Sequence, residues 1–188
     1  NEEYLRLSQF FIEQRGRGVL DGSRYIQDHL PVRKQTTMEG HAVRQLYLTS
    51  GITDIYAETG DESLLKTLKQ QWYNFTQKKM AVTGGAGAKY EGESFGLNYE
   101  LYNRTGYYET CAAIASFMWN WRMLQVTGQA QYADIMELTL YNGLLSGVSL
   151  DGLRYFYTNP LEHDGGEDVS LKHRGSNRRT SRHWDYTA

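Results

Sequence analysis

The sequence lacks several features that mark common protein classes. It has one cysteine, Cys111, and an internal disulfide needs two. Only 2 prolines interrupt 188 residues, which favours a helical protein. No apolar run reaches the roughly 18 residues that a membrane-spanning helix needs, so we expect no membrane partner. The formal net charge is -2, so we expect no general nucleic-acid partner. The compartment stays open between bacterial cytoplasm and periplasm.

Aromatic residues are plentiful, with 15 tyrosines and 4 tryptophans. Polar-tipped rings at this density suit a groove that stacks sugars or flat ligands, but they equally suit the rim of an ordinary core. The one concentrated basic run, residues 173–183 (HRGSNRRTSRH), is local and is typical of a solvated loop.

Apolar residues recur at helical spacing in most of the chain, which predicts helices. Glycines follow several of these segments, as expected at helix ends. The first helix places Tyr4, Leu7, Phe11 and Ile12 at helical spacing. Residues 19–37 are predicted to be a loop, residues 149–161 a strand or a pair of tight turns, and the polar tail a loop. The predicted helices span about 2–15, 41–59, 62–78, 109–126 and 130–145.

The sequence contains an internal repeat. The turn at Gly60 is similar to the turn at Gly128, an offset of 128 − 60 = 68 residues, and the residues after Asn1 resemble those after Asp61. Repeated helical hairpins stack side by side, because each buries a face that its neighbour cannot bury alone. Closed into a ring, they form an α/α toroid with its long loops at one mouth.

This repeat aligns His41 with Glu109, since 109 − 41 = 68. Both residues lie at the start of the first helix of a hairpin, so we expect both to point at the same mouth. A capping or core histidine is the alternative for His41.

The segment 91–111 (EGESFGLNYELYNRTGYYETC) concentrates groups that can do chemistry: Glu93, Glu109 and Cys111. The glycine-rich run before it, residues 83–87, is predicted to be flexible. Without further information, Cys111 is equally explained as a small buried hydrophobe, Glu109 as a helix N-terminal carboxylate and Glu93 as part of a solvated loop.

Several motifs resemble one known family, the β-L-arabinofuranosidases of glycoside hydrolase family 127, and they follow one another over nearly the whole chain. They are YIQDHLPVR (25–33), GHAVR (40–44), TGG (83–85), EGESFG (91–96), YETCAAIA (108–115), WRML (121–124), YNGLLSG (141–147) and SLDG (149–152).

The resemblance implies an all-α fold, part (about half) of an (α/α)6 barrel built from repeated helical hairpins, with long loops and a short β element. Residues 1–188 would form a partial α/α-barrel catalytic domain, without the C-terminal β-sandwich domains of the family. We expect the chain to be a piece of a longer protein. Its open barrel flank would then be covered by the remainder of the full-length chain or by self-association.

The resemblance also implies a site. Glu93 would be the general acid/base, and Glu109 and Cys111 would be two ligands of a zinc ion, Zn²⁺. The other ligands would be an adjacent Cys-Cys pair just beyond Ala188, one of which is the nucleophile. His41, Glu137 and Tyr157 match positions near the sugar in the family. By the residues alone, Glu137 could be a surface residue of a helix, and Tyr157 could belong to the core.

The implied function is retaining hydrolysis of a terminal β-L-arabinofuranoside or a related plant-polysaccharide sugar, with a carbohydrate as the partner. We expect the 188 residues alone to be inactive and to bind zinc weakly, because the nucleophile is expected beyond them. The alternative is a non-catalytic carbohydrate-binding or structural α-toroid, and the presence of the Cys-Cys pair distinguishes the two.

Overall fold

The computed structural model describes residues 1–162, 169–170 and 179–180. Within them the chain forms five α-helices and one short antiparallel strand pair, in which Val169 lies opposite Thr180. The strand pair lies in the tail that was predicted to be a loop, and most of the basic run 173–183 lies outside the described residues. The elements are α1 (Glu2–Gln14), α2 (Ala42–Thr59), α3 (Glu62–Asn74), α4 (Thr110–Thr127), α5 (Ala130–Leu138), β1 (Val169–Ser170) and β2 (Arg179–Thr180).

The predicted repeat is present as two helical hairpins, α2–α3 and α4–α5. Each first helix has 18 residues and ends at a glycine in the left-handed conformation, Gly60 (φ 67°) or Gly128 (φ 66°). The amide of each glycine donates to the carbonyl four residues earlier at 2.8 Å, on Tyr56 and Leu124 respectively. The offset of 68 residues therefore holds at the level of individual hydrogen bonds.

The two hairpins pack side by side. The contact between α2 and α4 is the most extensive between any two described helices. It buries Leu46 and Ile52 of α2 together with Trp119 and Met123 of α4. This arrangement confirms the predicted architecture, an all-helical portion of an α/α barrel.

The second helix of one hairpin connects it to the next. The indole of Trp72, on α3, donates to the Asn120 side chain on α4 at 2.7 Å. The same ring meets Tyr132 of α5 edge-on, with 4.8 Å between ring centroids. Because the ring is shared by three helices, it sets the spacing between the hairpins.

The first helix, α1, resembles α3 at its start. Asn1 caps α1 by accepting from the amide two residues later at 2.9 Å, and Asp61 caps α3 in the same way. Of its four apolar residues at helical spacing, only Ile12 is buried. Tyr4, Leu7 and Phe11 are exposed, because no further hairpin lies against α1 within the described residues.

The second helices end earlier than predicted and pass into wider turns. After α3 the chain forms a π-helical turn over Phe75–Lys79, and after α5 another over Thr139–Leu144. The buried ammonium of Lys79 donates to the Met38 carbonyl at 2.7 Å, which fastens the loop before α2 to this turn.

The loop predicted over residues 19–37 is packed rather than loose, because four buried glutamines connect it to the helices. The amide of Gln45 donates to Gln71 (3.1 Å), and that of Gln71 donates to the Gln35 carbonyl (3.1 Å). Gln35 donates to the carbonyl of Gln27 (3.2 Å), and Gln27 to that of Glu39 (2.9 Å). Since the side-chain nitrogen of each glutamine donates in this chain of bonds, the loop reaches the start of α2 in a defined position.

The glycine-rich run 83–87 is largely buried, and its glycines allow close packing instead of supplying the predicted flexible segment. A Cβ on Gly84 would lie 2.8 Å from the Cα of Thr139, and one on Gly87 would lie 2.8 Å from the Cβ of Ala42. Both glycines also have φ near +80°, a conformation that other residues rarely adopt.

The segment predicted as a strand or a pair of tight turns is a tight turn. The amide of Ser149 donates to the Arg154 carbonyl at 2.8 Å, and that of Phe156 donates to Gly147 at 2.9 Å. Among the described residues, no helix combines the length and the apolar composition that crossing a bilayer requires.

Candidate active site

His41 and Glu109 occupy the same place in the two hairpins. Each is the extended residue just before a first helix, with φ/ψ of −61°/122° for His41 and −67°/149° for Glu109. The residue before each is in the left-handed region: Gly40 at φ 69° and Tyr108 at φ 40°. The chain therefore turns into both helices in the same way, and the two side chains reach the same end of the molecule.

A downstream loop is attached to each of these residues. His41 forms an antiparallel bridge with Ser94, and Glu109 forms one with Thr158. The amide of Thr110 also donates to the carbonyl of Tyr157 at 2.9 Å. Each hairpin thus brings its long loop to the start of its first helix.

The first loop delivers Glu93. This residue has φ 52° and follows Gly92 at φ 71°, so the chain turns sharply at the carboxylate. Its Oε1 accepts from the Tyr107 hydroxyl at 2.9 Å, and its Oε2 lies 3.2 Å from Nε2 of His41. The Glu93 side chain is 16% exposed. Both carboxylate oxygens are therefore held, which excludes the solvated-loop alternative for this residue.

Tyr107 was not predicted as part of the site. It is fully buried, and its ring meets Tyr90 edge-on at 4.6 Å between centroids. Its amide donates to the Ala88 carbonyl at 3.1 Å. One tyrosine among 15 offers no sequence signal for a contact with a carboxylate 14 residues earlier.

The surroundings of His41 favour its neutral imidazole form. Burial lowers the pKa of His41 below its ordinary value, although the neighbouring Glu93 carboxylate acts in the opposite direction and Arg44 adds to the lowering. A neutral imidazole carries a proton on one nitrogen only, so Nε2 can either donate to Glu93 or accept from it.

Glu109 and Cys111 lie next to this pair. Ligand-type atoms of His41, Glu93 and Glu109 lie within 4.8 Å of one another, which makes these three residues a possible metal-binding group. Glu109 is 1% exposed. Burial raises the pKa of the Cys111 thiol, the Glu109 carboxylate raises it further, and a hydrogen bond from Tyr157 acts in the opposite direction.

The spacing of Glu109 and Cys111 is explained by the helix boundary. Residues two apart on a regular helix do not share a face. Here α4 begins at Thr110, so Glu109 is still extended while Cys111 is already in the first turn. The N-terminus of a helix also favours anionic groups. Glu109 therefore lies just before α4, whereas the predicted helix began at this residue.

Of the six residues singled out in the sequence, five come together: His41, Glu93, Glu109, Cys111 and Tyr157. The sixth, Glu137, is an exposed residue next to the end of α5. Since α5 runs antiparallel to α4 in the hairpin, its end lies on the same side of the molecule as the start of α4. The role of Glu137 as a sugar contact stays a prediction.

Helical hairpins packed side by side, with carboxylates and an imidazole gathered where their first helices begin, define part of an α/α-barrel domain with a candidate active site at its mouth. Residues 1–185 match the family model described as β-L-arabinofuranosidase, GH127 catalytic domain. The chain belongs to this family.

Individual relatives agree with this membership. The chain is 39% identical over 181 residues to a non-reducing end β-L-arabinofuranosidase of Bifidobacterium longum subsp. longum, an alignment that covers 86% of this chain and 28% of that protein. A solved GH127 β-L-arabinofuranosidase from Geobacillus stearothermophilus T6 superimposes with a TM-score of 0.82 at 46% identity, covering 87% of this chain and 28% of that one.

A second solved GH127 β-arabinofuranosidase superimposes with a TM-score of 0.85 at 46% identity. The superposition covers 89% of this chain and 26% of that one. The chain thus spans little more than a quarter of the length of these relatives.

Proposed function

We propose that residues 1–188 are part of the catalytic α/α barrel of a longer retaining glycoside hydrolase, which releases terminal β-L-arabinofuranose or a related plant-polysaccharide sugar. Membership of the GH127 family and the names of the relatives support this substrate class. The observation that carries the proposal is the carboxylate of Glu93, held at both oxygens and still 16% exposed.

Glu93 is suited to move a proton twice. Retaining hydrolysis needs a proton donor at the glycosidic oxygen in the first step and a base for the attacking water in the second. In the first step Glu93 gives its proton to the leaving oxygen as the bond to the anomeric carbon breaks. In the second step the carboxylate takes a proton from water, and this returns it to the starting form.

Tyr107 and His41 support the charged form that exists between these steps. The Tyr107 hydroxyl donates to Oε1 at 2.9 Å, and Nε2 of the neutral His41 ring can donate to Oε2 at 3.2 Å. Hydrogen bonds to a charged group in a partly buried site are stronger than neutral ones. These two side chains therefore stabilise the carboxylate after its proton has left.

The donor set around Glu109 fits a zinc ion. Carboxylate oxygen and thiol sulfur are both ordinary zinc ligands, and Glu109 and Cys111 place one of each at the start of α4. We assign these two residues as ligands, with the adjacent cysteine pair expected beyond Ala188 completing the site and supplying the nucleophile. Zinc, when bound, stabilises the thiolate form of its cysteine ligands.

We assign Cys111 as a ligand from its place in the family motif, next to Glu109 at the start of α4. The pKa of Cys111 is raised by burial and by the Glu109 carboxylate, so without a metal the thiol keeps its proton. A protonated thiol is a poor nucleophile. His41, Tyr157 and Glu137 are proposed as contacts to the sugar; the first two lie beside the carboxylates.

The test is hydrolysis of methyl β-L-arabinofuranoside by the full-length protein, followed by NMR from the first turnover. A retaining enzyme releases the β-anomer first, and elemental analysis should find about one zinc per chain. Arabinose binding without hydrolysis would identify the non-catalytic α-toroid instead, and initial release of the α-anomer would contradict retention.

The 188 residues alone provide a second test. We expect them to hydrolyse nothing and to bind zinc weakly, because two of the proposed ligands, one of which is the nucleophile, lie outside them. Circular dichroism would first establish that the helices have formed. Turnover at the full-length rate would show that the nucleophile lies within residues 1–188.

A further inference from the structure

Tyr25 and Arg44 lie at the edge of the candidate site, and the proposed reaction uses neither. The Tyr25 ring centroid is 6.0 Å from that of His41, and the residue is 39% exposed. The guanidinium carbon of Arg44 lies 5.4 Å from the centre of the same ring. An exposed aromatic ring and a cation thus sit together beside the imidazole that contacts Glu93.

The position of Tyr25 is fixed by its backbone and by the acid-bearing loop. Its carbonyl accepts from the His41 amide at 3.1 Å and from the Gln27 side chain at 3.3 Å. A Cβ on Gly92 would come within 2.8 Å of Cε2 of the Tyr25 ring. The ring therefore packs directly on the residue that precedes Glu93. A side chain held this way loses little freedom when a ligand binds.

The location of this ring suggests which part of a substrate would meet it. Tyr25 contacts His41 and Gly92, whereas Cys111 and Tyr157 lie next to Glu109. A general acid lies on the leaving-group side of the bond that it cleaves. The surface adjoining Glu93 and His41 is therefore the one that a leaving group would meet.

We propose that Tyr25 and Arg44 form a binding subsite for the sugar residue that serves as the leaving group. The C–H face of that sugar stacks on the phenol ring, and the guanidinium donates hydrogen bonds to its hydroxyl oxygens. This inference rests on the proposed function, because the leaving group of a glycan-cleaving enzyme is itself a sugar.

The experiment compares two substrates of the full-length protein: a β-L-arabinofuranosyl disaccharide and methyl β-L-arabinofuranoside, whose leaving group is too small to reach the ring. For Tyr25→Ala we expect kcat/KM on the disaccharide to fall about tenfold, mainly because KM rises. An aromatic contact of this kind contributes about that factor to binding. Turnover of the methyl glycoside should change less than about twofold. Tyr25→Trp should retain the disaccharide activity, because it keeps an aromatic face.

Tyr73→Ala is the matched control, since Tyr73 is an exposed tyrosine of α3 outside the residues of the candidate site. Equal losses on both substrates for Tyr25→Ala would mean that the ring only supports His41, and the subsite would be overturned. An unchanged disaccharide rate would overturn it as well.

Failure of the proposed function has a different signature, namely that the unaltered protein cleaves neither substrate. The subsite is then decided by calorimetric titration with the disaccharide and with free arabinose. Weaker binding of the disaccharide alone by Tyr25→Ala supports the subsite, and equal binding by both proteins overturns it.

Discussion

The hairpins α2–α3 and α4–α5 share one backbone design and differ in the chemistry at their starts. Their first helices are equally long and end in the same glycine turn. Yet the residue before the first helix is His41 in one and Glu109 in the other. The imidazole contacts the proposed acid Glu93, and the carboxylate lies beside the Cys111 thiol. A repeated scaffold thus places unlike groups at equivalent positions, and this produces an asymmetric site.

The second helices differ as well. Asp61 caps α3 through the Ser63 amide and pairs with Arg33 of the long loop at 2.6 Å. The equivalent residue of the other hairpin, Gln129, makes no side-chain cap. The cap residue of α3 therefore also connects its hairpin to the long loop before α2. The residue at the start of α5 makes no cap.

The largest expected effect is a loss of catalytic rate when Glu93, in the loop of the first hairpin, is replaced. Glu93→Gln cannot donate a proton, so kcat on a poor leaving group such as methanol should fall about 10²- to 10⁴-fold. An aryl leaving group of low pKa needs little protonation, and its first step should be nearly unaffected. Steady-state and burst kinetics on the two substrates measure the difference, and equal losses in the first step would argue against the acid role.

The zinc content of two variants should distinguish Glu109 from His41, the residues that precede the two first helices. Glu109→Gln removes an anionic ligand, so the full-length protein should lose most of its zinc in dialysis followed by elemental analysis. His41→Gln should retain its zinc, because we propose that His41 contacts Glu93 and the sugar and is not a metal ligand. Loss of zinc in both variants would instead assign the metal to the His41, Glu93 and Glu109 group.

Tyr107→Phe tests the support of Glu93. Loss of a hydrogen bond to a charged group should lower kcat about 10- to 100-fold on a poor leaving group, with KM little changed. Tyr56→Phe is the control, because it removes a hydroxyl that bonds only to the exposed Glu62 in the described structure. If both variants behaved alike, Tyr107 would have no part in positioning the acid.

The caps give a smaller effect, on stability. Asp61→Ala should lower the free energy of unfolding by about 1 kcal/mol, the usual value of a lost cap, while Gln129→Ala should change it by less than about 0.5 kcal/mol. Urea unfolding monitored by circular dichroism measures both. Equal losses would mean that the two helix starts are energetically alike.

The same residue gives a pH dependence with a defined sign. Hydrogen bonds from Ser63 and Arg33 lower the pKa of Asp61 to about 2 from an ordinary 3.8. The folded protein binds this proton less readily than the unfolded chain, so the contribution is full above pH 3.8 and is lost as the pH falls toward about 2. In Asp61→Asn this part of the acid dependence should disappear.

The smallest effect is expected where the hairpins touch at the surface. Nε of Arg122, on α4, lies 2.9 and 3.0 Å from the two carboxylate oxygens of Asp54, on α2. Exposed pairs of this kind contribute about 0.2–1 kcal/mol, and salt screens them. Arg122→Ala should therefore cost at most about that much, with a smaller loss in 1 M salt. A larger, salt-independent loss would mean that the stem of Arg122 matters for packing.

Much of the fold could be predicted because it depends on local signals. Helical spacing of apolar residues and the glycines at 60 and 128 locate the hairpins, and the offset between them aligns His41 with Glu109. The family motifs pointed to Glu93 and Cys111. Which apolar residues of α1 are buried could not be predicted from their spacing, because burial depends on a neighbour that the local pattern does not describe.

The sequence by itself determined the helices, their repeat and the family, since each depends on residues close together in the chain or on motifs in order. Only the tertiary structure decided that Tyr107 holds Glu93, that glycines 84 and 87 serve close packing, and that Tyr25 lies against Gly92. These contacts join residues from different loops and helices. Their geometry depends on how the hairpins pack, which no single stretch of sequence specifies.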